Sequence, residues 1–370
     1  MLTHEVLFLY IFRQAVSGLL CGQGFGMPSH HGHFFHHHGV MHRFHGILAP
    51  GKGTMALDQH TGYHGRIDIA VFKGPQDGRV GANRMLLEGH YLFDCIDEEV
   101  DMNDYKLVIF PDGVAFDSDL SDKVKKYLAK GGRILLSDKS GLDSENKFFA
   151  DFGVEYLGDN LFDNNYFVPE YDFRPNGKAA YLMYDRGSRI AVKDGVTVFG
   201  NMQNSYFNRE LRRFCSHSTT PNNPDDANPA CVISGNVGYI AWDVFGQYAE
   251  HGAYHLKRMV LDTVDALLGD GKTAETTLQS NGVITLNEQK TENRYVCHLL
   301  YAVTKKRGSV EVIEDAIEIT NTDVSLRLPR KPSKVYIAPE KRDIPWKYKD
   351  EILSFKVDAF TLHTMVVIEK

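Results

Sequence analysis

The stretch that decides the fold is Leu107–Ser137, which reads LVIFPDGVAFDSDLSDKVKKYLAKGGRILLS. Its first four residues form a continuous apolar run, of the kind that parallel sheets bury on both faces. Asp117 then favours the start of a helix, and Gly131-Gly132 is a typical stop. Between them, apolar residues recur at helical spacing at Leu120, Val124, Tyr127 and Leu128. The closing segment, Arg133–Ser137, predicts the next strand, so the stretch is a strand-helix-strand unit.

The residues before this stretch repeat the same alternation. Ile67–Phe72 predicts a buried strand, Gly81–Tyr91 a helix, and Phe93–Asp97 a short second strand. Such units, joined by right-handed crossovers, predict a doubly wound α/β domain with a flavodoxin-like parallel sheet. Ligands of these sheets bind at the carboxyl ends of the strands, which here hold Asp112 and Asp138-Lys-Ser140.

The residues after the stretch predict the end of this domain and a second one. Cys231–Ser234 and Tyr239–Trp242 predict a hairpin, while residues 218–229 are expected to form the longest loop. The helix predicted at Tyr254–Leu268 closes the first domain at about residue 270. Residues 275–370 predict a C-terminal antiparallel β-sandwich. Its predicted strands are Arg294–Tyr301, Val310–Glu314, Val324–Leu328, Lys334–Ile337, Ile352–Val357 and His363–Ile368.

Composition sets broad limits on function. The 370 residues carry a formal net charge of −7 and no block of Lys and Arg interleaved with aromatics, which argues against nucleic acid as a partner. Five cysteines at wide spacing, without a CxxC pair, favour reduced buried thiols over a disulfide framework or a zinc ribbon. The apolar segment Met1–Phe12 is too short to span a membrane. We expect a cytoplasmic protein that does not bind membranes.

Residues 1–65 differ in composition from the rest of the chain. Eleven of the seventeen histidines precede residue 65, and eight of them lie in Ser29–His45. Neutral imidazoles are good ligands for zinc, copper or nickel. However, the tract has no helical or strand period and no evident carboxylate partner for its imidazoles. We interpret it as a biased, poorly ordered or remnant segment and predict neither a metal site nor a cofactor.

Several motifs of the α/β region resemble a known family. They resemble the amidotransferase-like trimerisation domain of family 42 beta-galactosidases and related, partly hypothetical glycoside hydrolases. The motifs that carry this resemblance are Met85–His90, Tyr105–Asp112, Tyr127–Ser137 and Ser140–Leu142. Later motifs resemble the same region and the β-sandwich that follows it: Phe207–Glu210, Phe214–His217, Leu286–Gln289 and Tyr295–Leu300. The resemblance covers residues 66–370 and assigns 66–270 to the amidotransferase-like domain.

The resemblance implies a class I glutamine amidotransferase fold with an altered elbow. The cysteine nucleophile of such enzymes sits at the elbow that corresponds here to Ile134–Gly141, which contains no cysteine. In the related glycoside hydrolases the paired catalytic carboxylates lie on a (β/α)8 barrel of about 250 residues, and only 66 residues precede Ile67. We therefore expect no catalytic residue in this chain.

The function implied is a non-catalytic oligomerisation and accessory region of a beta-galactosidase-like glycoside hydrolase in carbohydrate metabolism. Its expected partners are further copies of the chain, a separately encoded catalytic barrel, and carbohydrate. One alternative is a free-standing carbohydrate-binding module. Another is an amidotransferase-fold hydrolase with a non-cysteine nucleophile, for which Asp138 and Lys139 are the candidates.

Two candidate substrate-binding residues lie in the predicted sheet. Asp112, at the carboxyl end of a strand, is suited to accept hydrogen bonds from sugar hydroxyls, and its alternative role is a turn-forming Asp-Gly. Trp242, together with Tyr239, is suited to stack on a sugar face, and the alternative is core packing. Asp243 shares that position and both alternatives.

Two further candidates, Glu210 and His217, lie in the motif-rich segment after residue 206. Cys215 and His217 imitate the residue types of a Cys/His nucleophile pair, but side chains two apart in an extended segment point to opposite faces. We expect no dyad between them. The alternatives for His217 are contact with a neighbouring subunit's pocket and ordinary hydrogen bonding.

Overall fold

The computed structural model describes residues 63–174 and 177–370. These residues form two compact units. The central unit comprises the described residues of 70–85 and 101–270, and the C-terminal unit comprises those up to 69, 86–100 and 271–370. The predicted histidine-rich segment 1–65 lies outside the described residues, except for its last three.

The central unit is built on a mixed sheet. The helices are α1 (Gln76–Glu88), α2 (Ser118–Ala129), α3 (Val244–His251) and α4 (Tyr254–Leu268). The strands up to residue 169 are β1 (Tyr63–Gly65), β2 (Ile69–Phe72), β3 (Phe93–Ile96), β4 (Leu107–Phe110), β5 (Arg133–Ser137), β6 (Val154–Asp159) and β7 (Asn165–Pro169). They are followed by β8 (Tyr181–Met183), β9 (Ser188–Val192), β10 (Thr197–Ser205), β11 (Asn222–Ser234) and β12 (Val237–Ile240).

The order of strands in this sheet runs β2-β4-β5-β12-β11-β10-β7-β8. β4 and β12 each pair with β5 in parallel, as the alternating pattern predicted. Beyond β12 the pairing is antiparallel, through β11, β10, β7 and β8. The sheet is therefore mixed, and the predicted purely parallel, flavodoxin-like sheet describes only part of it.

The longest loop predicted from sequence, residues 218–229, is largely a strand. Asn222–Ser234 forms β11, whose first half pairs only with β10 because β12 begins opposite Ser234 and ends opposite Cys231. An edge position of this kind tolerates Pro224 and Pro229, which lack the amide proton of a central strand. Pairing with β10 thus overrides the low strand propensity of this segment.

The helices follow from local signals to different degrees. Helix α2 begins where expected, because the Asp117 side chain accepts a hydrogen bond from the amide of Leu120 at 2.8 Å. Helix α1 begins five residues before the predicted Gly81, at Gln76. Residues 76–79 resemble a polar turn in sequence, but the amide of Arg79 donates to the carbonyl of Pro75 at 3.1 Å and forms the first turn of the helix.

The C-terminal unit consists mainly of antiparallel sheets, as the sequence predicted. Its strands after residue 271 are β13 (Ala274–Thr276), β14 (Gly282–Gln289), β15 (Arg294–Tyr301), β16 (Thr304–Arg307), β17 (Val310–Ile313) and β18 (Glu318–Arg327). The last strands are β19 (Lys334–Ala338), β20 (Arg342–Asp343), β21 (Trp346–Lys349), β22 (Ile352–Thr361) and β23 (His363–Glu369). A six-stranded sheet runs β1-β14-β15-β23-β19-β20, and a four-stranded sheet runs β13-β18-β22-β21. One apolar cluster draws residues from both, including Leu286, Cys297, Leu326 and Leu353.

Candidate functional site

Three carboxylates lie at the carboxyl ends of adjacent strands in the central unit. Asp112 follows β4, Asp138 follows β5, and Asp243 lies beyond the end of β12. We call these three residues the acid cluster. Two of them adopt positive φ, +29° at Asp112 and +49° at Asp138, which is a strained conformation for residues other than glycine. The parallel part of the sheet therefore presents its acidic groups where ligands of such sheets are expected.

Asp112 is buried, and both of its carboxylate oxygens accept hydrogen bonds. The hydroxyl of Ser137 donates to Oδ1 at 2.6 Å, and the amide of Gly246 donates to Oδ2 at 2.7 Å. Gly246 lies in the first turn of α3, so Asp112 acts as a helix cap supplied from a distant strand. A Cβ added at Gly246 would lie 3.5 Å from Oδ2, which leaves little space for a second partner.

Burial raises the pKa of Asp112 to about 8, against the opposite effect of its hydrogen bonds with Ser137 and Gly246. The negative charges of Asp243 and Asp138 raise this pKa further. The side chain is only 7% exposed. Asp112 thus connects β4, β5 and α3, with both oxygens already engaged.

Asp138 takes the elbow position at which an amidotransferase carries its nucleophile. Its carbonyl accepts a hydrogen bond from the Tyr239 hydroxyl at 2.7 Å, and Ser188 Oγ lies 3.4 Å from its Oδ1. Burial raises the pKa of Asp138, while Lys139 opposes that shift. Lys139 itself extends to Asp159, with Nζ 3.0 Å from Oδ1, and is about half exposed. Neither residue hydrogen-bonds to an imidazole or thiolate in the described part of the chain.

Asp243 connects α3 to the segment that follows β8. Its Oδ1 accepts a hydrogen bond from Gln247 Nε2 at 2.7 Å, and Gln247 Oε1 accepts one from the amide of Tyr184 at 2.9 Å. Burial raises the pKa of Asp243 to about 6, helped by the charges of Asp185 and Asp138. The half-buried carboxyl is therefore partly protonated near neutral pH.

The structure places Trp242 in the core. Its indole Nε1 donates to Asn165 Oδ1 at 2.6 Å, and its ring meets Phe167 edge-to-face. The side chain is 0% exposed, as is that of Tyr239. Both positions correspond to the core-packing alternative, because neither ring offers an open face to a sugar.

Glu210 and His217 share an exposed segment, separate from the acid cluster in the hydrogen-bond network. Glu210 and Arg213 exchange backbone hydrogen bonds of 2.8 and 3.1 Å around a tight turn. The Cys215 thiol donates to the carbonyl of His217 at 3.4 Å. The thiol thus contacts the main chain of His217 and not its imidazole, in line with the expectation that the two form no dyad.

Several groups that organise the acid cluster carry no strong signal in sequence. Ser137 ends the strand Arg133–Ser137, so its side chain was a candidate for the same edge as Asp112. Ser188, Asn165 and Gln247 are buried polar residues whose roles depend on partners far along the chain. Among the described residues, no group of three or more His, Cys, Asp or Glu side chains is arranged to hold a metal ion. Likewise, no described helix has the length and apolar character needed to cross a bilayer.

Comparison with known proteins shows a fold related to that of glycoside hydrolases. Alpha-L-fucosidase isoenzyme 2 from Paenibacillus thiaminolyticus is 38% identical over 86% of this chain, with a TM-score of 0.80. The chain spans 51% of that fucosidase. A family 42 beta-galactosidase from G. stearothermophilus matches 82% of this chain and 40% of its own length, at 13% identity and a TM-score of 0.51.

The beta-galactosidase from Bacillus circulans sp. alkalophilus matches at 10% identity over 83% of this chain and 42% of its own length, with a TM-score of 0.50. At such identities the two galactosidases show the fold alone. No family model matches the chain, and no curated protein does. The resemblance to glycoside hydrolases predicted from the motifs is thus confirmed at the level of the fold.

Proposed function

We propose that this chain is a non-catalytic, oligomer-forming accessory region of a glycoside hydrolase that acts on fucosides or galactosides. The observation that carries the proposal is the 38% identity to the Paenibacillus alpha-L-fucosidase over 86% of the chain. Identity at that level, over about half of the fucosidase, favours a shared role for the matched region. The galactosidase matches support the same fold but do not choose between the two sugars.

The state of the buried carboxylates supports a role other than bond cleavage. Retaining glycoside hydrolysis needs two carboxyl groups about 5 Å apart, one as nucleophile and one as acid and base. Asp112 has both oxygens engaged by Ser137 and Gly246 and is almost fully buried. Asp243 is held by Gln247. These contacts fix α3 and the neighbouring strands, which is a structural use of the acids.

Exposed apolar side chains in the central unit support the oligomer-forming part of the proposal. Leu211 is 95% exposed and Phe214 71%, on the segment that also carries Glu210 and His217. Monomeric proteins seldom leave apolar side chains clustered in water, and such clusters mark interaction sites. Glu210 and His217 are accordingly proposed as polar members of a subunit contact.

The mass of the chain in solution tests this proposal. Light scattering coupled to size-exclusion chromatography, over a hundredfold range of loading concentration, measures the mass directly. We expect a whole-number multiple of 41.8 kDa, two or greater. A mass of 41.8 kDa at every concentration would overturn the oligomer-forming role.

A further inference from the structure

The segment of residues 206–217 forms an exposed finger with a defined tip. The reciprocal backbone hydrogen bonds between Glu210 and Arg213 close a turn whose two central residues are Leu211 and Arg212. Leu211 at the tip is 95% exposed. The guanidinium of Arg213 lies 5.6 Å from the centre of the Phe207 ring, a cation–π contact that supports the base of the turn. The tip is thus an ordered structure that presents a leucine to solvent.

The finger combines apolar and basic side chains. Its charged residues are Arg209, Arg212 and Arg213 against one acid, Glu210, which gives a net charge of +2 (three minus one). Its exposed apolar residues are Tyr206, Leu211 and Phe214. Arginine and aromatic residues are the types enriched at the centres of protein interfaces. The partner of such a surface should be apolar and acidic.

A surface of that kind lies beside the finger on the same unit. Leu161 is 66% exposed, and Asp225 is exposed as well. Asp226 is held by Asn204, whose Nδ2 donates to its Oδ2 at 2.9 Å, and Asn204 accepts in turn from Asn160, the neighbour of Leu161. We call Leu161, Asp225 and Asp226 the shelf.

The finger and the shelf are joined by direct hydrogen bonds. Asn208, near the base of the finger, donates from Nδ2 to the carbonyl of Leu161 at 2.8 Å. Its Oδ1 accepts from the amide of Asp163 at 2.9 Å. Asp163 forms an ion pair with Arg186, so its charge is already matched. The unbalanced acids of this surface are therefore Asp225 and Asp226, next to a basic finger.

We propose that this surface joins two copies of the chain, with the finger of each copy seated on the shelf of the other. Adjacent patches of opposite charge and shared apolar character make a surface self-complementary, which is the requirement of a symmetric contact between identical chains. This assignment rests on the oligomer-forming role proposed above and names the partner as a second copy. It places Leu211 on Leu161 and Arg212 against Asp225.

Charge reversal tests the pairing. Arg212→Glu puts an acid against the acidic shelf, and Asp225→Lys puts a base against the basic finger. We expect each single variant to raise the dissociation constant, measured by sedimentation velocity, by about tenfold or more. The double variant Arg212→Glu/Asp225→Lys restores opposite charges in every copy, so its dissociation constant should return to within about threefold of the original value. Leu211→Asp should weaken assembly by at least about thirtyfold, as loss of a central anchor does.

The matched control is Lys126→Glu, the same change of charge at an exposed position of α2 outside the finger. It should leave the dissociation constant unchanged, and circular dichroism should show the same folded spectrum for all variants. Single variants without effect would overturn the finger as a contact while leaving an oligomer intact. Weak single variants that the double variant fails to rescue would overturn the pairing of finger and shelf. A monomeric parent protein would overturn both this inference and the proposed function.

Discussion

Replacement of Asp112 tests whether the acid cluster is structural. Asp112→Ala removes the acceptor of the Ser137 hydroxyl and of the Gly246 amide, which are 2.6 and 2.7 Å from the carboxylate oxygens. A polar group left buried without its partner costs about 1–3 kcal/mol, and loss of a helix cap costs about 1 kcal/mol. We therefore expect the free energy of unfolding of the central unit to fall by about 3 kcal/mol.

The two tryptophans of the chain make this measurement specific. Trp242 is buried in the central unit, whereas Trp346 lies on β21 in the C-terminal unit. In a Trp346→Phe background, fluorescence during urea denaturation therefore reports the central unit alone. The matched variant Asp112→Asn keeps the size and an oxygen acceptor, so it should cost about 1 kcal/mol. An Asp112→Ala variant within about 0.5 kcal/mol of its parent would refute the capping role, because surface changes are that small.

Three further predictions concern pH and packing. Because its folded pKa of about 8 lies above the unfolded value of 3.8, Asp112 is protonated in the folded state while it ionises in the unfolded one. Its contribution to stability should fall as pH rises from about 4 to 8, by up to about 1.4 kcal/mol per pH unit, and Asp112→Asn should remove this slope in urea denaturation. His298 has the opposite dependence: burial and the neighbouring His363 lower its folded pKa from 6.5 to about 3. The C-terminal unit should therefore lose stability as pH falls from about 6.5 towards 3, and His298→Leu should abolish that loss when Trp346 fluorescence is followed in a Trp242→Phe background. A Cβ added at Gly81 in α1 would lie 1.8 Å from the carbonyl oxygen of Phe245 in α3, so Gly81→Ala should lower the urea midpoint of the central unit, whereas Gly131→Ala, which meets nothing within 4 Å but sits at φ +90°, should cost about 1 kcal/mol.

Local signals predicted the parts of the fold that local signals control. The cap at Asp117, the helical spacing and the glycine stop located α2, and the hairpin of β11 and β12 was expected from its turn. The strand Asn222–Pro229 was missed, because only its pairing with β10 makes it a strand. The antiparallel extension of the sheet was missed for the same reason.

The candidate site was predicted in position but not in detail. The carboxyl end of β4 indicated Asp112, yet the partner that defines its role, Gly246, lies 134 residues away. Trp242 had two readings in sequence, and its hydrogen bond to Asn165, 77 residues away, places it in the core. The finger was marked by the motifs that end in Glu210 and His217, but the exposure of Leu211 depends on a turn that sequence alone did not reveal.

The central claim is that this chain assembles and does not cleave glycosides, and a rate measurement tests it most directly. The assay is hydrolysis of 4-nitrophenyl α-L-fucoside and 4-nitrophenyl β-D-galactoside by the purified protein, with the Paenibacillus alpha-L-fucosidase as positive control. We predict a release of 4-nitrophenol equal to that of the buffer alone. Turnover that co-purifies with the chain and disappears when Asp138, Asp243 or Glu210 is replaced by its amide would contradict the account.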